Sequence, residues 1–247
     1  MRMLNILKTY FKPSLIEPIN YKPNYLFQDY LASQHYSNTE LDQQGVTHIF
    51  TYLDSAINNN NGDCVIFSVT KETSQDKVCN NKCIVLSSDI MFGSLYTQDY
   101  NKNAAIIREH FLNLHREFPT SKFIVICEAN GHPQYNLIYV NDIKRFFGEN
   151  DLLDRLLYFP NFQEIETFDI LTTAATRKKM IRHLEYKLQN ELILFHSMFT
   201  FEAFSRLKYQ LSNVYWSSDT RSRFPILGYN DLVSPLLTIC YYCDTYS

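Results

Sequence analysis

The apolar and polar positions divide the chain into a proline-punctuated leading segment and a longer, strongly patterned remainder. Residues 1–63 are mostly polar, and Pro13, Pro18 and Pro23 recur every five residues, which biases the backbone toward extended conformations. Within this segment Leu41, Val46, Ile49, Phe50, Leu53 and Ile57 have a loose helical spacing, predicting a short helix over 41–57. The run NNNNGD at 58–63 is a turn signal.

Beyond it the pattern tightens. Residues 64–70 and 82–97 read as strands rich in Val, Ile, Leu and Phe, the second broken near Ser87-Ser88-Asp89. Apolar residues at 104, 107, 111 and 114 mark one face of a helix. KFIVICE (122–128) is a continuous apolar run after that helix, as expected of a buried parallel strand reached by a crossover. A helix over 137–147, a strand-like stretch at 164–171, a helix over 177–190 and the short run LILF follow. Then come a helix over 201–213 and a last one beginning near Asn230. Strands first, then alternating helix and strand, predict an α/β layer with an antiparallel edge.

Composition narrows the function. Net charge is −3, from 23 basic and 26 acidic residues, which excludes nucleic-acid binding by bulk charge. Only six glycines occur, about a third of the usual share, and neither phosphate-loop signature, G-x-x-x-x-G-K-[ST] or G-x-G-x-x-G, is present. The near-neutral total hides a split: residues 64–170 are net −4 and residues 171–223 net +5. No run is long enough for a signal h-region or a membrane span, so no membrane partner is expected. The cysteines sit mostly in apolar runs, as free thiols do in a reducing intracellular compartment. Cys79, Cys83, Cys240 and Cys243 also have spacings that a four-thiolate zinc site could use, although ICYYC reads as part of an apolar element.

Two carboxylates ask for a functional explanation. Glu128 ends an apolar strand, and acids at the carboxyl edge of a sheet meet ligands; a strand simply ending in solvent is the bland alternative. Asp231 opens an apolar helix, where capping is the ordinary role. Two-metal phosphodiesterases gather several such acids around hard cations, and the expected third would stand on the first strand. Read as CVIFSVTKE, that strand offers Thr70, with Asp63, Glu72 and Asp76 nearby. His110 and His115 lack the i,i+4 spacing of a zinc pair, Trp216 reads as packing under a loop, and Ser87-Ser88-Asp89 has no histidine at a telling spacing.

Several longer stretches resemble the C-terminal nuclease domain of herpesvirus-type large terminases. They are NKNAAIIREHFLNLHREFPTSKFIVICEANG, TTAATRKKMIRHLEYKLQNELILFHSMF, FSRLKYQLSNV and NDLVSPLLTICYY, together covering much of residues 60–243. The resemblance implies an RNase H-like mixed sheet, antiparallel in its first strands and then parallel, flanked by helices. It implies an N-terminal extension over 1–60 and the nuclease domain over 61–247. It further implies two Mg²⁺ or Mn²⁺ ions held by Glu128 and Asp231, with double-stranded DNA as substrate. Phosphate contacts would come from Arg177, Lys178, Lys179 and Arg182. Other terminase subunits, an ATPase motor and a portal would be the partners, and the host nucleus the site of action.

The family's strand-one Asp, in a V-D-P-A-like motif, falls on Thr70 in this alignment. Either Glu72 then substitutes as the third ligand, or the domain is a catalytically degenerate packaging scaffold. A protein-interaction module is the remaining alternative.

Overall fold

The computed structural model describes residues 25–54, 64–72, 80–91, 97–128, 133–157, 169–170, 172–216, 226–227 and 231–246. Its centre is a mixed sheet in the order β5-β4-β1-β2-β3-β7, with β6 pairing on β4. The strands are β1 (His48–Asp54), β2 (Cys64–Glu72), β3 (Lys82–Met91), β4 (Lys122–Glu128), β5 (Leu156–Leu157), β6 (Asp169–Ile170) and β7 (Ile193–Phe195). β1–β2 and β2–β3 are antiparallel; β4 lies parallel to β1, and β7 parallel to β3. The expected antiparallel-then-parallel layer is the one observed. A separate ribbon pairs β8 (Tyr215–Trp216) with β9 (Ile226–Leu227).

Helices cover both faces. On one side lie α1 (Thr97–Glu117) and α2 (Pro133–Glu149). Ile107, Phe111 and Leu114 of α1, with Ile143 and Phe147 of α2, are buried against Ile49, Leu53, Ile66, Phe123 and Val125. On the other side lie α3 (Ala174–Gln189), α4 (Phe201–Asn213) and α5 (Val233–Thr245). Met180, Leu184, Leu207, Leu236 and Ile239 of these helices pack with Phe50, Tyr52, Phe67, Val69, Ile124 and Ile126. Thr173 and Thr200 cap α3 and α4, each accepting the amide three residues on. Burial on both faces explains why Phe123–Cys127 of β4 are apolar without alternation.

The same double burial corrects one expectation. Residues 48–54 form β1, not part of a helix, and all of Ile49–Leu53 is buried. Residues apolar on both faces of a strand can imitate a 3.6-residue period over a short window; the cluster Ile-Phe-Thr-Tyr, rich in β-branched and aromatic side chains, decides for the strand. β1, which falls within residues 1–60, sits between β2 and β4 in the sheet. The expected break near Ser87-Ser88-Asp89 is instead a register shift within a continuous β3. Ser68 pairs with Ser87 and Val69 with Val85, so Leu86 is the additional residue. The stretch expected as a strand at 164–171 is described only at β6, and Asn230 lies outside the described residues.

The α3–α5 seam carries a buried charge cluster. Lys187 Nζ lies 2.7 Å from Asp244 Oδ2, and His183 Nε2 lies 3.0 Å from the same oxygen. Lys187 Nζ also donates to the Asn81 carbonyl. Burial opposes the charge on Lys187, but the neighbouring Cys83 and Asp244 outweigh it and hold the ammonium above its ordinary pKa. His183 also packs edge-on against Tyr241, one turn before the Lys187–Asp244 contact. The two helices therefore run side by side in the same direction.

Candidate active site

The carboxyl ends of β1 and β4 define the site. The parallel register pairs Tyr52 with Ile126 and Leu53 with Cys127. Asp54 and Glu128, the last residues of their strands, are therefore the next neighbours across the ladder, with backbones about 4.8 Å apart. Positions 50, 52 and 54 on β1 and 124, 126 and 128 on β4 belong to the strand face covered by α3 and α5. Asp54 is half-buried. The side chain of Glu128 lies outside the described residues.

Helix α5 approaches the same edge. Its last turn sits over the opposite end of β1, with the Tyr246 ring 5.6 Å from His48 and 5.4 Å from Phe50. Lys71 Nζ fastens that end by donating to the carbonyls of Cys243 and Tyr246. A helix of this length spans about 20 Å, so its start is directed back toward the carboxyl ends of β1 and β4. Asp231 lies two residues before α5, just ahead of the helix N-cap Leu232. The Leu232 amide donates to Gln210 Oε1 at 2.7 Å, tying this start to α4.

The basic stretch shares the edge. Ile170 of β6 pairs with Glu128, and α3 begins four residues later. Lys178, Lys179 and Arg182 are exposed on the second and third turns of α3, whereas Arg177 is buried and is not part of that outer face. The local split between net −4 and net +5 segments thus becomes a spatial juxtaposition.

Glu72, and the Thr70 that stands at the family's Asp position, lie away from this edge. Glu72 ends β2, which runs antiparallel to β1, and it pairs there with Lys82, bonded at 3.2 Å between exposed side chains. It lies beyond the amino end of β1, about 20 Å along the strands from Glu128. Thr70 is buried near that same end, where its hydroxyl donates to the His48 carbonyl at 2.8 Å. The acid missed by sequence reasoning is Asp54, in TYLDSA. Its signal was available: VTHIFTYLD, like KFIVICE, is an apolar run ending in an acid.

The cysteine expectation resolves as free thiols. Cys83, Cys127, Cys240 and Cys243 are buried and unoxidised, with Cys79 outside the described residues. Cys83 and Cys240 touch at 3.2 Å between sulfurs, and burial pushes the Cys240 and Cys243 thiols up, opposite to what a thiolate–zinc site needs. Among the described residues no three His, Cys, Asp or Glu side chains gather as a metal site. No helix among them is long and apolar enough to cross a membrane.

No family model and no curated protein sequence matches the chain. Solved structures do. The human cytomegalovirus terminase nuclease domain, soaked with Mn and inhibitor-bound, superposes with a TM-score of 0.62 at 12% identity, over 89% of this chain and 94% of that one. The same nuclease domain in a second structure gives 0.60 at 13% identity, over the same shares. The fold is RNase H-like, that of these nuclease domains. With identity this low, the likeness is one of architecture.

Proposed function

We propose that this chain is a metal-dependent endonuclease that cleaves DNA phosphodiesters, with Asp54, Glu128 and Asp231 as its ligand carboxylates. The observation that carries the reading is the β1–β4 register, which makes Asp54 and Glu128 neighbours at one sheet edge. The Mn-soaked nuclease domains of the same fold support divalent-metal use. Carboxylate oxygens are the hard donors that Mg²⁺ and Mn²⁺ prefer, so the residues fit the ions. A pair of such ions, when bound, supplies a nucleophilic hydroxide and neutralises charge on the leaving oxygen.

The chain's own groups do the rest. Strand-end backbones joined by sheet hydrogen bonds hold Asp54 and Glu128 at a fixed separation, so little reorganisation is needed when a phosphate arrives. Lys178, Lys179 and Arg182 would contact backbone phosphates and orient the duplex without reading its sequence. The ATPase motor, portal and further terminase subunits of viral DNA packaging, working in a host nucleus, are the setting this reading implies. The alternative of a degenerate scaffold rested on Thr70, and Asp54 removes that motive.

The test is Mn²⁺-dependent nicking of supercoiled plasmid by wild type, Asp54→Asn, Glu128→Gln and Glu72→Ala. Loss of a ligand carboxylate should lower the rate by about 10²-fold or more, while Glu72→Ala should nick normally. Undiminished nicking by Asp54→Asn would overturn the assignment. No nicking by the folded, Mn²⁺-supplied wild type would return the scaffold reading.

A further inference from the structure

On the opposite face of the sheet a second set of complementary side chains is gathered. Ser87 and Asp89 are alternate residues of β3 and so share a face, and His110 of α1 packs over them. His110 Nδ1 lies 2.6 Å from Asp89 Oδ2, while Nε2 lies 2.8 Å from Ser68 Oγ and 3.4 Å from Ser87 Oγ. An ionised carboxylate only accepts, so in the neutral ring the Nδ1 proton faces Asp89 and Nε2 is left to accept from a hydroxyl. The imidazole is fully buried and Asp89 is 48% exposed.

The two serines differ in access. Ser68 is fully buried, and its Oγ is also 2.7 Å from Thr51 Oγ1. Ser87 is half-buried and opens on a cavity of about 150 Å³, lined also by Asn113, Met198, Thr200 and Ala203. Thr200 and Ala203 belong to the start of α4, whose dipole favours negative charge, the Ala203 amide itself being bonded to Thr200 Oγ1. Asn113 Oδ1 accepts from Arg116 at 3.3 Å, which leaves its amide NH₂ as a donor. The register shift next to Ser68 sets this geometry, since it brings Ser68 and Ser87 opposite each other under one histidine.

We propose that this cavity is an acyl-transfer site with Ser87 as nucleophile, His110 as general base and Asp89 as its positioning residue. It would take short-chain acyl esters, because drug-sized ligands need pockets of about 300 Å³ or more. In the first half-reaction Ser87 Oγ bonds to the acyl carbon as its proton passes to His110 Nε2, and the carbonyl electron pair moves onto oxygen, facing Asn113 and the α4 start. The ester C–O bond then breaks, and the departing alkoxide takes the proton from Nε2. Water repeats the sequence: its proton goes to Nε2, its oxygen bonds to the acyl carbon, and Ser87 leaves with that proton as the carboxylic acid is released. The 3.4 Å Ser87–His110 separation is of the kind that tightens when substrate binds. Nε2 has a single lone pair, and it is free for the Ser87 proton when Ser68 turns its hydroxyl to donate to Thr51 Oγ1, 2.7 Å away.

The experiment treats the full chain with a serine-reactive fluorophosphonate, maps the labelled peptide, and follows p-nitrophenyl acetate hydrolysis. Labelling is expected at Ser87, to vanish in Ser87→Ala, and to persist at Ser87 in Ser68→Ala. Asp89→Asn, at a half-exposed position that folding tolerates, should slow hydrolysis at least tenfold and move the midpoint of the rate–pH profile to lower pH. A folded wild type that takes no label, a label that survives Ser87→Ala, or an Asp89→Asn profile with unchanged midpoint would each overturn the proposal.

Discussion

Replacing Lys187 by Met tests how the site's two helices are held. The ammonium is fully buried, and its 2.7 Å contact to Asp244, whose side chain is 6% exposed, joins α3 to α5. Removing one member of a buried ion pair strands the other and costs about 3–5 kcal/mol. Lys187→Met should fall near the lower end, because His183 Nε2 stays 3.0 Å from the same carboxylate oxygen. Asp244→Asn should fall near the upper end, since it leaves an ammonium facing only a carbonyl and a neutral amide. For a chain of this size about 3 kcal/mol lowers Tm by roughly 6–12 °C. The double variant Lys187→Met/Asp244→Leu removes both charges and should recover to within about 1 kcal/mol of wild type. Urea unfolding followed by far-UV circular dichroism, with m-values compared, measures each. A Lys187→Met loss under about 1 kcal/mol at unchanged m would refute the reasoning, showing that desolvation of the ammonium cancels its pairing.

Other perturbations give separate checks. Burial lowers the pKa of His196, whose Nδ1 accepts the Met198 amide at 3.3 Å, and burial also lowers those of His48 and His115. The unfolded state then binds more protons below the ordinary histidine value of 6.5, so stability should fall as pH drops from 6.5 through the lowered folded values. His196→Gln should flatten that decline in urea midpoints collected from pH 7 to 5; an unchanged slope would exclude His196 as a contributor. Phe111, fully buried between Phe123, Phe146 and Phe147, should cost about 3–5 kcal/mol when cut to Ala, read by the same unfolding curves. Lys178→Ala/Lys179→Ala should weaken duplex binding at every sequence alike and reduce the slope of log K against log salt by about 2; a sequence-dependent loss would argue against phosphate contacts.

The sequence by itself determined the layer. The apolar run at 123–127 and the helical face at 107, 111 and 114 are local patterns, and each forms where the pattern says. Glu128 at a strand end and Asp231 at a helix start were legible for the same reason. What the sequence left open is which strand is central. A strand buried on both faces loses the alternation that identifies it, so 48–54 imitates a helix, and the missing carboxylate was sought on β2 instead of at Asp54. Strand direction is likewise invisible along the chain. Only the antiparallel pairing of β1 with β2 sends Glu72 to the far end of the sheet, and only the parallel pairing with β4 brings Asp54 beside Glu128. The Ser87–His110–Asp89 contact depends on packing between a strand and a helix, with no periodicity to announce it. Local propensity decided what each segment becomes; long-range pairing and packing decided which side chains meet.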